Sequence, residues 1–239
     1  MTSEGSVSPG IRGVLASPRL NPRRTSVQYA VRRPLLTWLD AQEVDGKRVL
    51  DVGCGDRPYD PLFAGAAEVV GFDRPGNPHA DLHGSIEAIP ADAASFDVVL
   101  CLQVLEHVPD PAQAVRELRR VVRSGGVVLA ATHGVYPFHP SPDDLWRWTQ
   151  TGLERLFAEN GEWSSLAVTP GAGTALTVAM LVGHLADLFF KRARIRPVGT
   201  PLVFGLNAAG EALDRAVPSL RETVPGSLNA NFHVAAAAQ

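Results

Sequence analysis

The sequence predicts a doubly wound α/β fold built on a mostly parallel sheet. With 239 residues, 45% of them hydrophobic and 20% charged, the chain is long enough for one domain with a sizeable core. Four short, mostly apolar runs are typical of parallel strands buried on both faces, at residues 48–52, 67–72, 96–102 and 126–132. Helix-like stretches lie between these runs. This alternation of strand and helix indicates a parallel sheet whose crossovers cover both faces.

Three helices are predicted from apolar residues at helical spacing. The first covers residues 27–41. The second covers residues 111–122, where Pro111 occupies the first turn and Gly125 follows the last. The third covers residues 151–160 and is stopped by a glycine. The helix at 111–122 is the clearest crossover between two of the predicted strands.

The C-terminal third predicts two further strands and a helical insertion. The strands are residues 164–168 and residues 231–238, the latter as a closing edge strand. Between them, residues 171–217 are alanine-rich and mostly helical, with a basic run in the middle. We therefore expect a flexible tail at 1–25, a single domain at 26–239 and an insertion at 171–217 before the last strand.

Composition disfavours several classes of protein. A formal charge of −3 and a pI near 6.2 give no global field for a nucleic-acid backbone, so no nucleic-acid partner is predicted. Cys54 and Cys101 form no CxxC pair, and His79 and His83 follow a Pro/Gly-rich turn, so neither a disulfide scaffold nor a metal site is predicted. The N-terminus lacks the apolar core of a secretory signal, which predicts a cytoplasmic location.

The residues that leave each strand carry the binding information, because an open parallel sheet binds its ligand beyond the carboxyl ends of its strands. The first strand leaves through VLDVGCGDRPY, whose two glycines permit a tight turn and close approach of a ligand. The second ends at Asp73, 22 residues after Asp51, a spacing that suits a carboxylate binding the ribose hydroxyls of an adenosine. Two more exits are GSIEAIP at 84–90 and CLQVLEHVPDP at 101–111.

The first exit loop disfavours a pyrophosphate ligand. A dinucleotide-binding loop reads G-x-G-x-x-G, but Pro58 stands at the third glycine position. Asp56 lies where two phosphates would have to sit, which is repulsive. Asp51 and Asp56 would instead attract a ligand bearing a sulfonium and an ammonium. No GK[ST] follows the glycines, so a P-loop is also disfavoured.

The motifs VLDVGCGD, GFD, SFDVVLCLQVLEHVPDP and LRRVVRSGGVVLAAT resemble, in order and spacing, those of class I S-adenosylmethionine-dependent methyltransferases of the small-molecule type. The resemblance runs from about residue 48 to residue 157. It implies a Rossmann-like methyltransferase fold, with a seven-stranded sheet whose last strand is antiparallel. It also implies S-adenosyl-L-methionine as the cofactor, bound across the ends of the first, second and fourth strands.

The resemblance further implies which residues bind the cofactor. Asp73 would bind the ribose hydroxyls, and Cys101 and Leu102 would offer backbone carbonyls to the ammonium group. Ser85 stands where many relatives have an aspartate, and its hydroxyl can still bond the adenine amino group. The two cysteines would also serve as small apolar fillers. The full implied set is Asp51, Gly53, Cys54, Gly55, Asp73, Arg74, Ser85, Ile86, Cys101 and Leu102.

The stretch THGVYPFHPSPDDLWRWTQ, after the strand at 126–132, predicts the acceptor site. We expect His139 or His133 to accept the substrate proton, with His107 near the cofactor as a third candidate base. The residues predicted to bind the acceptor are Tyr136, Asp144, Trp146 and Arg147. The structural alternative is that the tryptophans anchor a lid, that Asp143 starts the next helix and that Glu106 and His107 cap or brace the helix after the fourth strand.

An apolar stretch at 174–190 is followed by Lys191, Arg192, Arg194 and Arg196. It is shorter than the roughly 20 residues of a membrane span and contains a histidine and an aspartate. The basic residues form either a solvated cap or the polar side of an interfacial helix. The second interpretation predicts a weak membrane-surface contact through residues 174–196 and suits a lipid-linked acceptor.

The sequence thus predicts methyl transfer from S-adenosylmethionine to O, N or C of a small or lipid-linked acceptor. Such a transfer needs mainly positioning, because the sulfonium already activates the methyl group. Two alternatives stay open: a nucleotide- or nicotinamide-dependent α/β enzyme, and a non-catalytic protein that keeps the cofactor pocket. The acceptor, the attacking atom and the oligomeric state are left open.

Overall fold

The computed structural model describes residues 23–140, 142–194 and 196–239. Seven strands form one sheet in the order β3-β2-β1-β4-β5-β7-β6. The first five in this order are parallel, and β7 is antiparallel to both β5 and β6. The strands are β1 (Arg48–Val52), β2 (Glu68–Asp73), β3 (Leu82–His83), β4 (Phe96–Leu102), β5 (Val122–His133), β6 (Trp163–Pro170) and β7 (Asn231–Ala238).

Helices cover both faces of the sheet. Asp110 begins the second helix by accepting a hydrogen bond from the Gln113 amide at 2.9 Å, and Thr149 caps the third through the Gly152 amide at 3.1 Å. The α-helices are α1 (Tyr29–Asp40), α2 (Pro111–Val121), α3 (Gln150–Asn160), α4 (Thr174–Arg192) and α5 (Arg196–Ala216). Short 3-10 turns are Asp60–Phe63, Leu105–His107 and Pro218–Arg221.

Successive strand residues supply two separate cores, since neighbouring side chains point to opposite faces of a sheet. On one face, Leu50 and Val99 pack with the apolar sides of α2 and α3. On the other, Leu100 packs with Leu35 and Leu39 of α1. This two-sided burial explains why the strands read as continuous apolar runs, and it fits the predicted doubly wound sheet.

The predicted position of the last strand at the sheet edge is wrong. Residues 231–238 do form β7, but β7 lies between β5 and β6, so β6 is the edge strand. Its alanines are buried towards both cores, as expected for an internal strand: Ala236 and Ala238 face one core and Ala235 the other. Strand β3 was not predicted, because two residues are too few to show a periodic pattern.

The region predicted as an insertion contains α4 and α5, which lie between β6 and β7. Leu176 and Met180 of α4 pack against Tyr29 of α1 in a third core. The carboxylate of Asp214 in α5 accepts hydrogen bonds from the first turn of α4, 3.0 Å from the Ala175 amide nitrogen. The two helices are therefore joined to each other and to the main domain.

Residues 1–22 of the predicted tail lie outside the described residues. Within its described part, Arg24 forms an ion pair with Glu211 of α5 at 2.7 Å. Asn207 of α5 also donates to the Arg24 carbonyl oxygen at 2.7 Å. Residues at the predicted end of the tail thus contact the helical region directly.

Among the described residues, α4 alone is long and apolar enough to cross a membrane by length and composition. It has 19 residues, and 28% of its most apolar window is buried. Several of its large apolar side chains are exposed instead, at Val178, Val182, Leu185, Leu188 and Phe189. This pattern belongs to a helix that packs on one side and leaves an apolar face uncovered.

Candidate functional site

A cavity of about 700 Å³ opens at the carboxyl ends of β1, β2 and β4. Its size is that of a typical small-molecule site, and its place is where an open parallel sheet binds its ligand. Several predicted cofactor residues line it, together with residues from the turn after β4. The lining residues that matter below are Gly53, Asp73, Ser85, Gln103, His107 and Asp143.

Asp73 is held at the end of β2 by three hydrogen bonds. Its carboxylate accepts from the Gly55 amide at 2.9 Å, the Arg74 amide at 2.7 Å and the Asn77 side-chain amide at 2.7 Å. Two carboxylate oxygens have about four acceptor positions, so capacity for a ligand hydroxyl is left. The side chain is fixed and faces the cavity.

Gly53 needs to be glycine for two reasons. Its φ of +74° lies in the left-handed region, and an added Cβ would lie 2.4 Å from Val104 Cγ2. Its amide donates to the carbonyl oxygen of Phe72 at 2.8 Å, which ties the first exit loop to the end of β2. The loop therefore brings backbone, rather than a side chain, to the cavity wall.

The end of β1 is an acidic region. Asp51 is only 3% exposed, and burial raises its pKa to about 7, with a further contribution from the negative charges of Asp60 and Asp73. Arg57 opposes the shift, but its guanidinium is bound to Asp60 at 2.8 Å and to Asp81 at 2.6 Å. A cationic ligand placed here would be stabilised by the surrounding carboxylates.

Ser85 and Ile86, the predicted adenine contacts, line the same cavity. The Ser85 hydroxyl oxygen accepts a hydrogen bond from the Glu87 amide at 3.2 Å. Glu87 also lines the cavity, and its carboxylate accepts from the Asp110 amide at 2.9 Å. Sequence reasoning missed Glu87, although an acid two residues after Ser85 was a signal.

The remaining predicted cofactor residues lie behind or beside the wall. Asp51, Cys54, Cys101 and Leu102 are buried, and Gly55 lies in the exit loop with a φ of +56°. Burial raises the pKa of Cys54 to about 12 and raises that of Cys101 as well. Both thiols therefore stay protonated, which fits packing residues rather than nucleophiles.

Gln103 was not singled out from the sequence. It follows β4 with a φ of +59°, an unusual conformation for a residue other than glycine. Gln103 lines the cavity, and both polar atoms of its side-chain amide are buried without a hydrogen-bond partner among the described residues. Such an arrangement is typical of a ligand-binding group, since an unsatisfied buried amide is costly.

His107 lines the cavity from the 3-10 turn after β4. Its ring Nδ1 contacts the backbone carbonyl oxygen of Asp143. A carbonyl can only accept, so in the neutral ring Nδ1 carries the hydrogen and Nε2 keeps its lone pair. The structure thus provides one histidine at the cavity with a nitrogen able to accept a proton.

The other two predicted bases lie outside the lining of the cavity. His133, at the end of β5, is 4% exposed, and burial lowers its pKa to about 2. His139 has a lowered pKa for the same reason, and its ring centroid is 4.9 Å from that of His133 and 5.1 Å from that of His107. Neither lines the described cavity. Of the three predicted bases, His107 is thus the one that lines this cavity.

The four residues predicted to bind the acceptor fix the position of the loop after β5 through contacts within the loop and with neighbouring residues. The Tyr136 ring stacks on His133, with centroids 3.9 Å apart. Arg147 donates to the Asp144 carboxylate at 2.6 Å, and Trp146 donates to the Val108 carbonyl oxygen at 2.7 Å. From this loop Pro142 and Asp143 reach the cavity wall. No helix begins at Asp143, because the next one starts at Gln150.

Comparison with known proteins gives a family match and several similar proteins for this chain. Residues 50–130 match a family model described as "Methyltransferase domain". Over 141 residues the chain is 39% identical to a Mycolicibacterium smegmatis protein named "Probable S-adenosylmethionine-dependent methyltransferase", covering 54% of this chain and 55% of that one. Over 114 residues it is 41% identical to a ubiquinone biosynthesis O-methyltransferase of Ralstonia nicotianae, covering 41% and 48%.

A solved structure shares the fold at low sequence identity. It is the Haemonchus contortus phosphoethanolamine N-methyltransferase 2 in complex with S-adenosyl-L-methionine, with a TM-score of 0.54 and 17% identity. The alignment covers 99% of this chain and 61% of that one. The chain spans about half the length of the curated relatives described above.

The sheet order and the cavity beyond β1, β2 and β4 define an α/β protein with a small-molecule cavity at the carboxyl ends of its parallel strands. With the matches at residues 50–130, the chain is shown to carry a class I S-adenosylmethionine-dependent methyltransferase domain. The predicted family and the predicted fold class are confirmed. S-adenosyl-L-methionine is the cofactor of this class.

Proposed function

We propose that this chain transfers the methyl group of S-adenosylmethionine to an oxygen of a small or lipid-linked acceptor. The observation that carries the proposal is the cavity itself, with the fixed Asp73 carboxylate in its wall and the acidic end of β1 beside it. A cationic sulfur nucleoside matches both features, whereas a pyrophosphate would be repelled.

In this proposal each end of the cofactor meets a different strand exit. Asp73 binds the ribose hydroxyls, and Ser85, Ile86 and Arg74 surround the adenine. The methionine end lies against the first exit loop, where Asp51, Gly53, Cys54 and Gly55 form the wall or its support. Carbonyl groups of Cys101 and Leu102 face the ammonium group. These placements are inferred from the lining residues of the cavity and from the cofactor of this class of enzyme.

The acceptor side is proposed from the chemistry of His107. The bound cofactor supplies an activated methyl group, so the chain has to position the acceptor and, for a hydroxyl, remove its proton. His107 lines the cavity and, in its neutral form, keeps a lone pair on Nε2, whereas His133 and His139 are not among the lining residues. The relatives named O-methyltransferases support an oxygen acceptor.

The loop residues Tyr136, Asp144, Trp146 and Arg147 are proposed to shape the acceptor side by fixing the loop. The Tyr136 ring lies 5.7 Å from that of His184 in α4, so the loop also contacts the helical region. We propose that α4 and α5 form the outer part of the acceptor site. A cytoplasmic location belongs to the same proposal.

Equilibrium binding tests the proposed function. We expect saturable binding of S-adenosylhomocysteine and no binding of NAD, measured by calorimetry on the full chain. Replacing Asp73 with alanine is expected to weaken S-adenosylhomocysteine binding by about 1–3 kcal/mol, through the loss of charged hydrogen bonds. Binding of NAD without binding of S-adenosylhomocysteine would overturn the proposal in favour of a nicotinamide-dependent enzyme.

Two further measurements separate cofactor binding from catalysis and folding. The matched control Asp92→Ala removes an exposed carboxylate away from the cavity and should leave the affinity unchanged. Transfer of a labelled methyl group to a panel of phenols and catechols then distinguishes an enzyme from a non-catalytic cofactor-binding protein. If Asp73→Ala binds S-adenosylhomocysteine with wild-type affinity, Asp73 does not bind the ribose.

A lipid-linked acceptor predicts contact with a membrane surface through α4. Exposed apolar residues of α4, including Leu185 and Phe189, precede a basic segment. We expect the chain to co-sediment with vesicles containing anionic lipid and to lose this binding when Lys191, Arg192, Arg194 and Arg196 are replaced by serine. Equal co-sedimentation of wild type and variant would contradict a role for the four basic residues. No co-sedimentation of the wild type would overturn the proposed membrane contact.

A further inference from the structure

Three side chains from three segments of the chain converge on one point. Glu106 comes from the turn after β4, His133 from the end of β5, and His139 from the loop that follows β5. One potential ligand atom from each residue can be chosen so that all three atoms lie within 4.8 Å of one another. Two imidazoles and one carboxylate form a common donor set for a borderline transition-metal ion such as Zn²⁺.

The carboxylate is already oriented towards the histidines. Thr132 donates to Glu106 Oε2 at 2.8 Å, which leaves Oε1 directed at His133, 3.4 Å from Nε2. The Glu106 residue is 0% exposed, and Oε1 has no hydrogen-bond partner among the described residues. His133 Nδ1 is likewise buried without a partner among them.

Glu106 Oε1 and His133 Nδ1, which lack a hydrogen-bond partner among the described residues, are costly to bury, because burial removes their hydration. The Coulomb attraction of a dication at this point would offset that cost. Ligand atoms held at about 2.0–2.2 Å from a zinc ion lie roughly 3.3 Å apart in a tetrahedron. Glu106 Oε1 and His133 Nε2 already have this separation, at 3.4 Å. The side chain of His139 is 31% exposed, so it is the ligand that would move to complete the set around the ion.

The surroundings supply an outer shell for the third ligand. The Asp144 carboxylate lies 3.4 Å from His139 Nδ1 and accepts a hydrogen bond from the His139 amide at 3.0 Å. Arg147 holds that carboxylate in turn, at 2.6 Å. A metal-binding histidine usually places its other ring nitrogen against such a carboxylate, which orients the ring.

We propose that Glu106, His133 and His139 form a binding site for one divalent transition-metal ion. The ion would connect the turn after β4, the end of β5 and the acceptor loop, and would fix the loop that carries Asp143 and contacts His107. Three protein ligands leave a fourth position for water or a substrate oxygen. This site is separate from the cofactor residues and does not depend on the proposed methyl transfer.

Zinc binding by the full chain tests the site, using a protein without a histidine tag that has been stripped with a chelator. Calorimetry with Zn²⁺ is expected to show one ion per chain. His139→Ala should weaken binding at least ~100-fold, because loss of an outer-shell partner alone costs 10–100-fold. X-ray absorption at the zinc edge should show two imidazoles in wild type and one in this variant.

The controls separate ligand loss from misfolding and from the cofactor site. His79→Ala removes an exposed histidine outside the cluster and should keep full zinc affinity. His139 is the least buried of the three ligands, and circular dichroism of its variant should match wild type. Asp73→Ala should bind zinc normally while losing affinity for S-adenosylhomocysteine.

Two outcomes would overturn the metal site. The first is no saturable zinc binding by stripped wild type that still binds S-adenosylhomocysteine. The second is unchanged affinity in both His139→Ala and the isosteric Glu106→Gln. Either result leaves the proposed methyl transfer standing, and failure of S-adenosylhomocysteine binding alone leaves the metal site standing.

Discussion

Replacing His107 with alanine lowers methyl transfer to a hydroxyl acceptor by about 10²–10⁴-fold, the usual contribution of general acid–base catalysis. The expected loss follows from geometry. His107 lines the cavity, and the contact between its Nδ1 and the Asp143 carbonyl fixes the ring and leaves Nε2 as the nitrogen that can accept a proton. The measurement is kcat with a phenolic acceptor at saturating S-adenosylmethionine. The fall should appear in kcat rather than in the KM for the cofactor.

Two comparisons distinguish a base from a residue that only shapes the site. Added imidazole should restore part of the turnover of His107→Ala, because it can occupy the vacated space and accept the proton. His79→Ala, which changes an exposed histidine, should remain fully active. Turnover of His107→Ala within about threefold of wild type would contradict the assignment and return the base role to His139 or His133.

Much of the fold was predictable because its strands are buried on both faces. Apolar runs gave β1, β4 and β7 their observed bounds, and the glycine-bent exit located the first wall of the cavity. The place of β7 was not predictable, since strand order depends on packing between distant segments rather than on local pattern. The two residues of β3 carry too little pattern to be recognised.

Some features of the candidate site were likewise predictable from the sequence, and others were not. Asp73 ends β2 and Gly53 directly follows β1, so their position at the cavity was predictable from the sequence. The roles of Gln103 and of the histidines depend on a left-handed residue and on a loop whose path is fixed by tertiary contacts. Trp146 illustrates the limit: an aromatic residue in a suspected acceptor loop donates to the Val108 carbonyl instead of lining the cavity.

Asp51→Asn is expected to stabilise the chain above neutral pH and to have little effect near pH 4. Burial raises the pKa of Asp51 from 3.8 to about 7 in the folded state. Below the unfolded pKa the carboxyl is neutral in both states. As pH rises from about 4 to about 7, the unfolded chain loses this proton first, so the contribution of Asp51 to stability falls by about 2–4 kcal/mol. Asparagine cannot ionise and escapes this loss.

Chemical unfolding of wild type and Asp51→Asn at several pH values from 4 to 8 measures the difference. The free energy of unfolding of the variant, minus that of wild type, should rise with pH and level off above about 7.5. Asp92→Asn, at an exposed position, should show no such rise. A difference that stays flat across this range would mean that Asp51 ionises as easily in the folded chain as in the unfolded one.

The same carboxylate links stability to the charge of the ligand. A sulfonium near the acidic end of β1 favours ionised Asp51, whereas the neutral sulfur of S-adenosylhomocysteine does not. At pH 7.5 the quantity to measure is the rise in melting temperature caused by S-adenosylmethionine minus the rise caused by S-adenosylhomocysteine. This difference should be larger for wild type than for Asp51→Asn. An equal difference in both proteins would mean that the sulfur does not lie near Asp51. The methionine end of the cofactor would then not lie against the first exit loop.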